Sequence, residues 1–283
     1  QTRGDEDASA RLLDLARDED PWVASSAASA LENLGEDARE GLRSVLLERV
    51  GNDEASFAEA APTLARLGGE EARTLLLDAV SGGTSFERST ALSALGQMDD
   101  PEARAALMAH LEPGVDPALR IEAFTALQWG PQPLEPEALT ALLQDQDPDL
   151  RAQAVSALAS LDGPGALEQL LPLAADGDLQ VRAAALSALG NTPGPEAEAA
   201  LLAALDDTEL SSTALWSLNG MGSPGAREAL RERARTGEPG QRAEALSTLG
   251  NDPSAAATEV LTDALRDADQ GVASAALSQL QGR

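Results

Sequence analysis

A chain of 283 residues with 48 acids, 20 Arg and no Lys carries a formal charge of -28. A field of that sign repels phosphate backbones and anionic lipid headgroups and attracts basic partners, which excludes nucleic-acid binding across the main surface. The absence of Cys removes disulfides, thiolate metal sites and Cys nucleophiles, and no apolar run approaches membrane-spanning length.

Aromatic residues make up 2% of the chain and Ile occurs only at Ile121, so Ala, Leu and Val dominate the apolar share. Such a chain has little with which to fill a central core and spreads its apolar surface along thin helix–helix interfaces. Acid excess without Lys also suits a salt-rich habitat or a GC-rich genome, and a solubility and codon-usage signature is the simpler reading. The start at Gln1 rather than Met leaves open that the chain is a piece of a longer protein, and no signal-peptide pattern is visible. The compartment is not legible.

In chain order a Leu recurs at Leu31, Leu64, Leu95, Leu127, Leu158, Leu189, Leu218, Leu249 and Leu280, at intervals of 29 to 33 residues. Eleven residues before each stands a helix-capping type: Asp20, Asp53, Thr84, Asp116, Asp147, Asp178, Asp207, Glu238 and Asp269. Two registers that hold together from end to end are the signature of a solenoid, in which each unit buries its apolar face against its neighbours. The expected fold is therefore an all-α solenoid of about nine two-helix repeats, a single domain over 1–283.

The unit is clearest around Pro195–Gly220: a first helix over Glu196–Leu205, an acidic loop at Asp206-Asp207, and a second helix from Thr208 to Leu218. Helices of about 11–13 residues are marginal alone, so stacking must stabilise them. The cap residue accepts from backbone N–H groups that the second helix leaves unpaired. Pro21, Pro117, Pro148 and Pro239 follow the cap, where Pro loses no hydrogen bond. Gly35, Gly68-Gly69, Gly130-Pro131, Gly163-Pro164, Gly194-Pro195, Ser223-Pro224 and Asp252-Pro253 punctuate the loops between repeats.

The stretch Asp178-Leu-Gln-Val-Arg-Ala-Ala-Ala-Leu-Ser-Ala-Leu-Gly190 resembles the second-helix signature of HEAT-like repeats of the bacterial, phycobilin-lyase type. Asp147–Leu158 and Asp116–Leu127 match the same pattern, and the resemblance extends over essentially the whole chain. It is specific for fold and almost silent on activity. The pattern's Arg stands at Arg88, Arg120, Arg151, Arg182 and Arg242 and is replaced by Ala24, Phe57, Ser211 and Ala273. The resemblance implies that this Arg ties neighbouring repeats to the Asp of the cap loop, so the ends and repeats two and seven are expected to be more loosely tied. Pro62 and Pro172 fall inside helices and are expected to bend them.

The resemblance also implies that second helices line a concave face. The position two residues before each repeating Leu then looks into the groove: Ser29, Pro62, Ser93, Thr125, Ser156, Ser187, Trp216, Ser247 and Ser278. Three residues earlier stand Ser26, Glu59, Thr90, Glu122, Gln153, Ala184, Thr213, Glu244 and Ala275. The expected partner-binding residues are Trp216, Thr213, Ser187, Gln153, Thr125, Glu122, Ser93, Thr90 and Glu59, with Trp216 as the anchor. A competing reading gives the small hydroxyl residues the role of letting second helices approach. Trp22 and Trp129, at helix ends beside Pro21 and Gly130, are expected to pack against adjacent loops.

Asp145-Gln-Asp147-Pro-Asp149 spaces carboxylates as a calcium loop does, with shorter echoes at Asp176/Asp178 and Asp267/Asp269, but Leu150 and Ser156 stand where the pattern needs Gly and Glu. Capping is the better explanation, and no metal or cofactor is expected. An acidic ridge along one edge is expected from Asp18, Asp20, Asp53, Asp116, Asp145, Asp176, Asp206, Asp207 and Asp267. His110 is the only His, placed where a cation suits a helix end, and without Cys, Lys or a second His no nucleophile–base pair stands out. The expectation is a non-enzymatic protein-interaction scaffold that binds a protein or peptide, a basic one by charge, with no nucleic acid, no membrane insertion and a monomer favoured. The alternatives are a phycobilin-lyase-like enzyme or accessory, disfavoured by the few aromatics and missing Lys, and a structural repeat region of a larger protein.

Overall fold

The computed structural model describes residues 3–50, 54–132, 134–161, 165–192 and 194–282. The cap expected at Asp53 and the punctuation at Gly163-Pro164 lie outside these residues. Among them eighteen α-helices follow one another, and no β-strand is found. No helix among the described residues is long and apolar enough to cross a membrane.

The helices form nine pairs in two compact units, Gln1–Leu134 and Glu135–Arg283. The first unit pairs α1 (Arg3–Leu15) with α2 (Pro21–Glu32), α3 (Glu36–Val50) with α4 (Glu54–Leu67), α5 (Glu70–Gly82) with α6 (Ser85–Gln97), and α7 (Pro101–Ala109) with α8 (Pro117–Gln128). The second pairs α9 (Pro136–Leu142) with α10 (Pro148–Ala159), α11 (Ala166–Leu170) with α12 (Leu179–Gly190), α13 (Pro195–Ala204) with α14 (Ser211–Met221), α15 (Pro224–Thr236) with α16 (Pro239–Leu249), and α17 (Ala255–Ala264) with α18 (Gln270–Gln281). Each unit is an all-α solenoid. The repeating Leu are its spine: Leu31, Leu64, Leu95, Leu127, Leu158, Leu189, Leu218 and Leu249 are buried, and Leu280 is half-buried.

The caps do what their chemistry allows. Asp20, Asp116 and Asp147 each accept the N–H two residues on, Asp178 accepts from Gln180 and Val181, and Asp269 accepts from Val272. Thr84 and Glu87 close a reciprocal capping box. Asp207 differs: it accepts from Glu209 and Leu210 and caps only a turn, so α14 begins at Ser211 rather than Thr208. Pro62 sits inside α4 without interrupting it, whereas at Pro172 the first helix of the sixth repeat tightens into a 3₁₀ segment, Leu171–Ala175. That tightening is a short-range answer to a missing backbone N–H.

Two devices set how closely second helices approach. The first is the absence of side chains. A Cβ on Gly96 of α6 would lie 2.6 Å from the Ala126 carbonyl oxygen of α8, and one on Gly190 of α12 would lie 2.7 Å from Ser217 Cβ of α14. The second is an arginine tie. Arg151 of α10 donates to its own loop at Asp145 O (2.7 Å) and to Asp176 Oδ1 of the next repeat (2.9 Å). Arg242 of α16 repeats the device with Gly237 O (2.9 Å) and both oxygens of Asp267 (2.8 and 3.1 Å). In both cases the receiving Asp lies two residues before the cap and also accepts the cap's own N–H, from Asp178 at 2.8 Å and Asp269 at 2.9 Å.

The ties fix the pH behaviour. Burial works to raise the Asp176 pKa, but hydrogen bonds from Arg151 and the Asp178 N–H, with the charges of Arg151 and Arg182, hold it below the usual carboxylate value. Asp267 is lowered first by the Arg242 hydrogen bond. A carboxylate with a depressed folded pKa contributes stability above its unfolded value of about 4 and loses it as pH falls through the folded value. Arg151→Ala should therefore cost roughly 1.5–3 kcal/mol at neutral pH, and the deficit relative to the parent should shrink below about pH 4. Urea melts at both pH values measure it; an equal deficit at both would show that the tie is not ionic. Glycine contacts have a separate test. Gly190→Ala should destabilise by about 1–3 kcal/mol through overpacking, while Gly220→Ala, with nothing within 4 Å of its Cβ position, should stabilise by about 0.5–1 kcal/mol.

Candidate functional site

Second helices α4, α6 and α8 pack one on the next in the first unit, as do α10, α12, α14, α16 and α18 in the second. Their small outer residues leave shallow depressions between neighbours. One of about 300 Å³ lies between α6 and α8, over Ser93, Gly96, Glu122, Thr125 and Ala126, with Trp129 at its edge. A second, of about 410 Å³, lies between α12 and α14, over Ser187, Gly190, Thr213 and Ser217, with Trp216. The third differs in construction. Helices α2 and α4 both lean on α3, and a cleft of about 470 Å³ opens between them, reaching down to Leu46 and Arg49 and flanked by Trp22.

The expected site residues thus fall into groups. Trp216, Thr213 and Ser187 share the α12/α14 depression, and Thr125, Glu122 and Ser93 share the one between α6 and α8. Glu59 lines the α2/α4 cleft. Gln153 on α10 and Thr90 on α6 are half-buried and line none of the three.

The hydroxyl row has a consistent chemistry. Thr125, Ser156, Ser187 and Ser247 each donate to the carbonyl four residues back, at 2.9, 3.1, 2.9 and 3.0 Å. Each spends its one proton inside its own helix and keeps its lone pairs. These four hydroxyls therefore keep only acceptor capacity for a further partner.

All three tryptophans are exposed: Trp22 by 77%, Trp129 by 80% and Trp216 by 55%. For Trp22 and Trp129 this corrects the expectation that they pack against loops. Trp22 stands in the first turn of α2, and a helical side chain leans over the turn before its own, which here does not exist. Trp129 is the C-cap of α8, over residues too small to cover an indole. The chain's core rings are Phe57 and Phe124, both buried.

The acidic ridge also needs correction. Asp176 and Asp267 receive the arginine ties, and Asp206 pairs with Arg233 at 2.8 Å. The expected ridge is thus not bare along its whole length, since Asp176 and Asp267, each two residues before a cap, meet the Arg of the preceding repeat. The calcium-like spacing has the same origin: Asp145 accepts from Asp147 N–H at 2.9 Å and Asp147 from Asp149 N–H at 3.0 Å. His110 caps α7, its Nδ1 donating to Ala106 O at 2.8 Å.

A model of HEAT repeats matches residues 136–211 and 198–281, and a model of the PBS lyase HEAT-like repeat matches 87–113. No curated protein matches the chain. Among solved structures, a chain of the Kap95p–RanGDP complex aligns at 17% identity and TM-score 0.55, covering 96% of this chain and 46% of that one. The E. coli protein YibA aligns at 16% and 0.52, covering 91% and 96%. A chain of a homology model of the AP-3 complex aligns at 18% and 0.52, covering 92% and 54%. At these identities the likeness is one of fold, and this chain spans about half of the Kap95p-complex and AP-3 chains.

Exposed rings contribute little to folding. Trp22→Ala and Trp129→Ala should each change stability by less than about 0.5 kcal/mol, whereas Phe124→Ala should cost about 3–5 kcal/mol. Thermal melts of the three variants decide it, and a large loss at either Trp would mean that its ring is packed.

Proposed function

Because the chain belongs to the HEAT-repeat family, we propose that it is a non-enzymatic protein-interaction scaffold that binds a protein or peptide partner along its second helices. The observation that carries this reading is the placement of Trp22, Trp129 and Trp216, each exposed at a depression beside or between second helices. A chain with six aromatic residues that leaves every Trp in water keeps binding surface, not core, at those positions. The acceptor row of Thr125, Ser156, Ser187 and Ser247 supports a partner rich in N–H donors, and the formal charge of -28 supports a basic one. The Kap95p and AP-3 structures, which share the fold, are themselves assemblies.

The test is affinity capture from the native host, identification of the partner, and calorimetry with both purified proteins. Trp216→Ala and Trp129→Ala should weaken binding by tenfold or more where each ring is an anchor, since anchor truncations reach about 2 kcal/mol. Glu232→Gln, exposed on first helix α15, should leave affinity unchanged. Failure to find a stoichiometric partner, or unaltered affinity in both Trp variants together with a loss at Glu232, would overturn the reading.

A further inference from the structure

The α2/α4 cleft is unlike the other two depressions. Both of its walls lack the arginine of the repeat pattern: Ala24 stands in that place on α2 and Phe57 on α4. The tie of the repeat pattern is therefore missing from both helices, and Phe57 is buried at its position on α4. The floor is small and apolar, made by Ala24, Ala28, Ala60 and Leu46.

Its charges are unevenly placed. Away from Trp22, Arg66 of α4 grips Glu32 of α2 through Nε at 3.0 Å and Nη2 at 2.8 Å. Arg49 donates to Ala16 O at 2.8 Å and lies 3.7 Å from Glu59. These two cations are matched by two anions. The loop that leads into Trp22 instead carries three successive exposed carboxylates, Asp18, Glu19 and Asp20. Two of them shape the loop: Asp18 accepts from Asp20 N–H and Asp20 from Trp22 N–H, both at 2.9 Å. The Trp22 end is thus an exposed indole next in chain to an excess of negative charge.

Resting on the scaffold reading above, we propose that the α2/α4 cleft binds a basic peptide segment, with an Arg or Lys side chain seated on the Trp22 indole. A cation over an indole face is attracted by the ring quadrupole, and neighbouring carboxylates add to that attraction. Long basic side chains carry aliphatic stems that lie along apolar surface, which the Ala-lined floor offers. An acidic segment is repelled by the same carboxylates, and an apolar one leaves them without a counter-charge. The site extends the surface read from the repeat register, which included Glu59 but not Trp22.

The chain has no Tyr, so its near-ultraviolet emission reports tryptophan. The full chain carrying Trp129→Phe and Trp216→Phe, with Trp22 as its only emitter, is titrated with an acetylated, amidated decapeptide of alternating Arg and Ala. The emission should change saturably, and raising NaCl from about 50 to about 500 mM should weaken binding about tenfold or more. Glu19→Gln should weaken it severalfold, and Trp22→Ala, followed by calorimetry, should reduce it at least about tenfold. An alternating Glu and Ala decapeptide should not bind. No saturable change at Trp22, or the same change with the acidic peptide, overturns the proposal. A response of Trp216 alone, in the chain with Trp22→Phe and Trp129→Phe, removes this site while the scaffold reading stands. If the captured partner also binds no second-helix face, the scaffold reading itself has failed.

Discussion

How closely one second helix can lie against the next is the constraint from which the rest of the molecule follows. Helices of ten to fifteen residues such as α4, α13 and α16 are too short to persist alone. They need contact with a neighbour along most of their length, and with Ala as the commonest facing residue that contact requires near-touching backbones. Gly96 and Gly190 permit it by leaving no Cβ between α6 and α8 or between α12 and α14. The arginine ties do complementary work at the other end of the helices. One guanidinium satisfies its own loop's carbonyl and the next loop's carboxylate together, so Arg151 and Arg242 convert a close approach into a fixed register.

The surface inherits this geometry. Where Gly and Ser let second helices come close, the outer face is a shallow strip with room for little except a laid-on segment. Where Ala24 and Phe57 replace the arginine, the walls part and a cleft reaches down to α3. Phe57 and Phe124 fill interior gaps, and the indoles of Trp22, Trp129 and Trp216 are left in water beside the depressions.

The register of Leu and cap residues made the nine helix pairs legible, because both devices act within a few residues of themselves. A buried Leu needs only its periodic place, and a capping Asp needs only the N–H groups two or three residues on. What escaped was non-local. Asp176 and Asp267 read as part of a bare acidic ridge because their actual partner, an Arg 25 residues earlier, is invisible to local spacing. The signal was present as a coincidence between repeats: the loops with Asp two places before the cap at Asp178 and Asp269 follow repeats that keep the arginine. The two tryptophans at helix ends escaped for another reason. Neighbouring Pro and Gly suggested loop packing, but a first-turn or C-cap residue has few neighbours to pack against, whatever the sequence beside it. The groups formed by Trp216, Thr213 and Ser187, and by Thr125, Glu122 and Ser93, followed from register alone.

Composition understates how negative the accessible surface is. Five arginines that tie repeats are recessed, the side chains of Arg73, Arg151, Arg231, Arg233 and Arg242 being 14–18% exposed, while Arg17 and Arg66 in the first two repeats are 47% and 49% exposed. Several of the carboxylates they meet stay largely in water, with Asp206 86% exposed, Glu102 71% and Glu228 63%. A planar fork can reach inward to carbonyls and carboxylates at once, a geometry that a single ammonium does not offer, and this chain has no Lys. Positive charge is thereby drawn into the joints, and negative charge is left outside. Thr125, Ser156, Ser187 and Ser247 follow the same rule on a smaller scale, each donating its proton to its own helix and keeping its lone pairs. Both effects leave acceptor lone pairs and negative charge on the accessible surface.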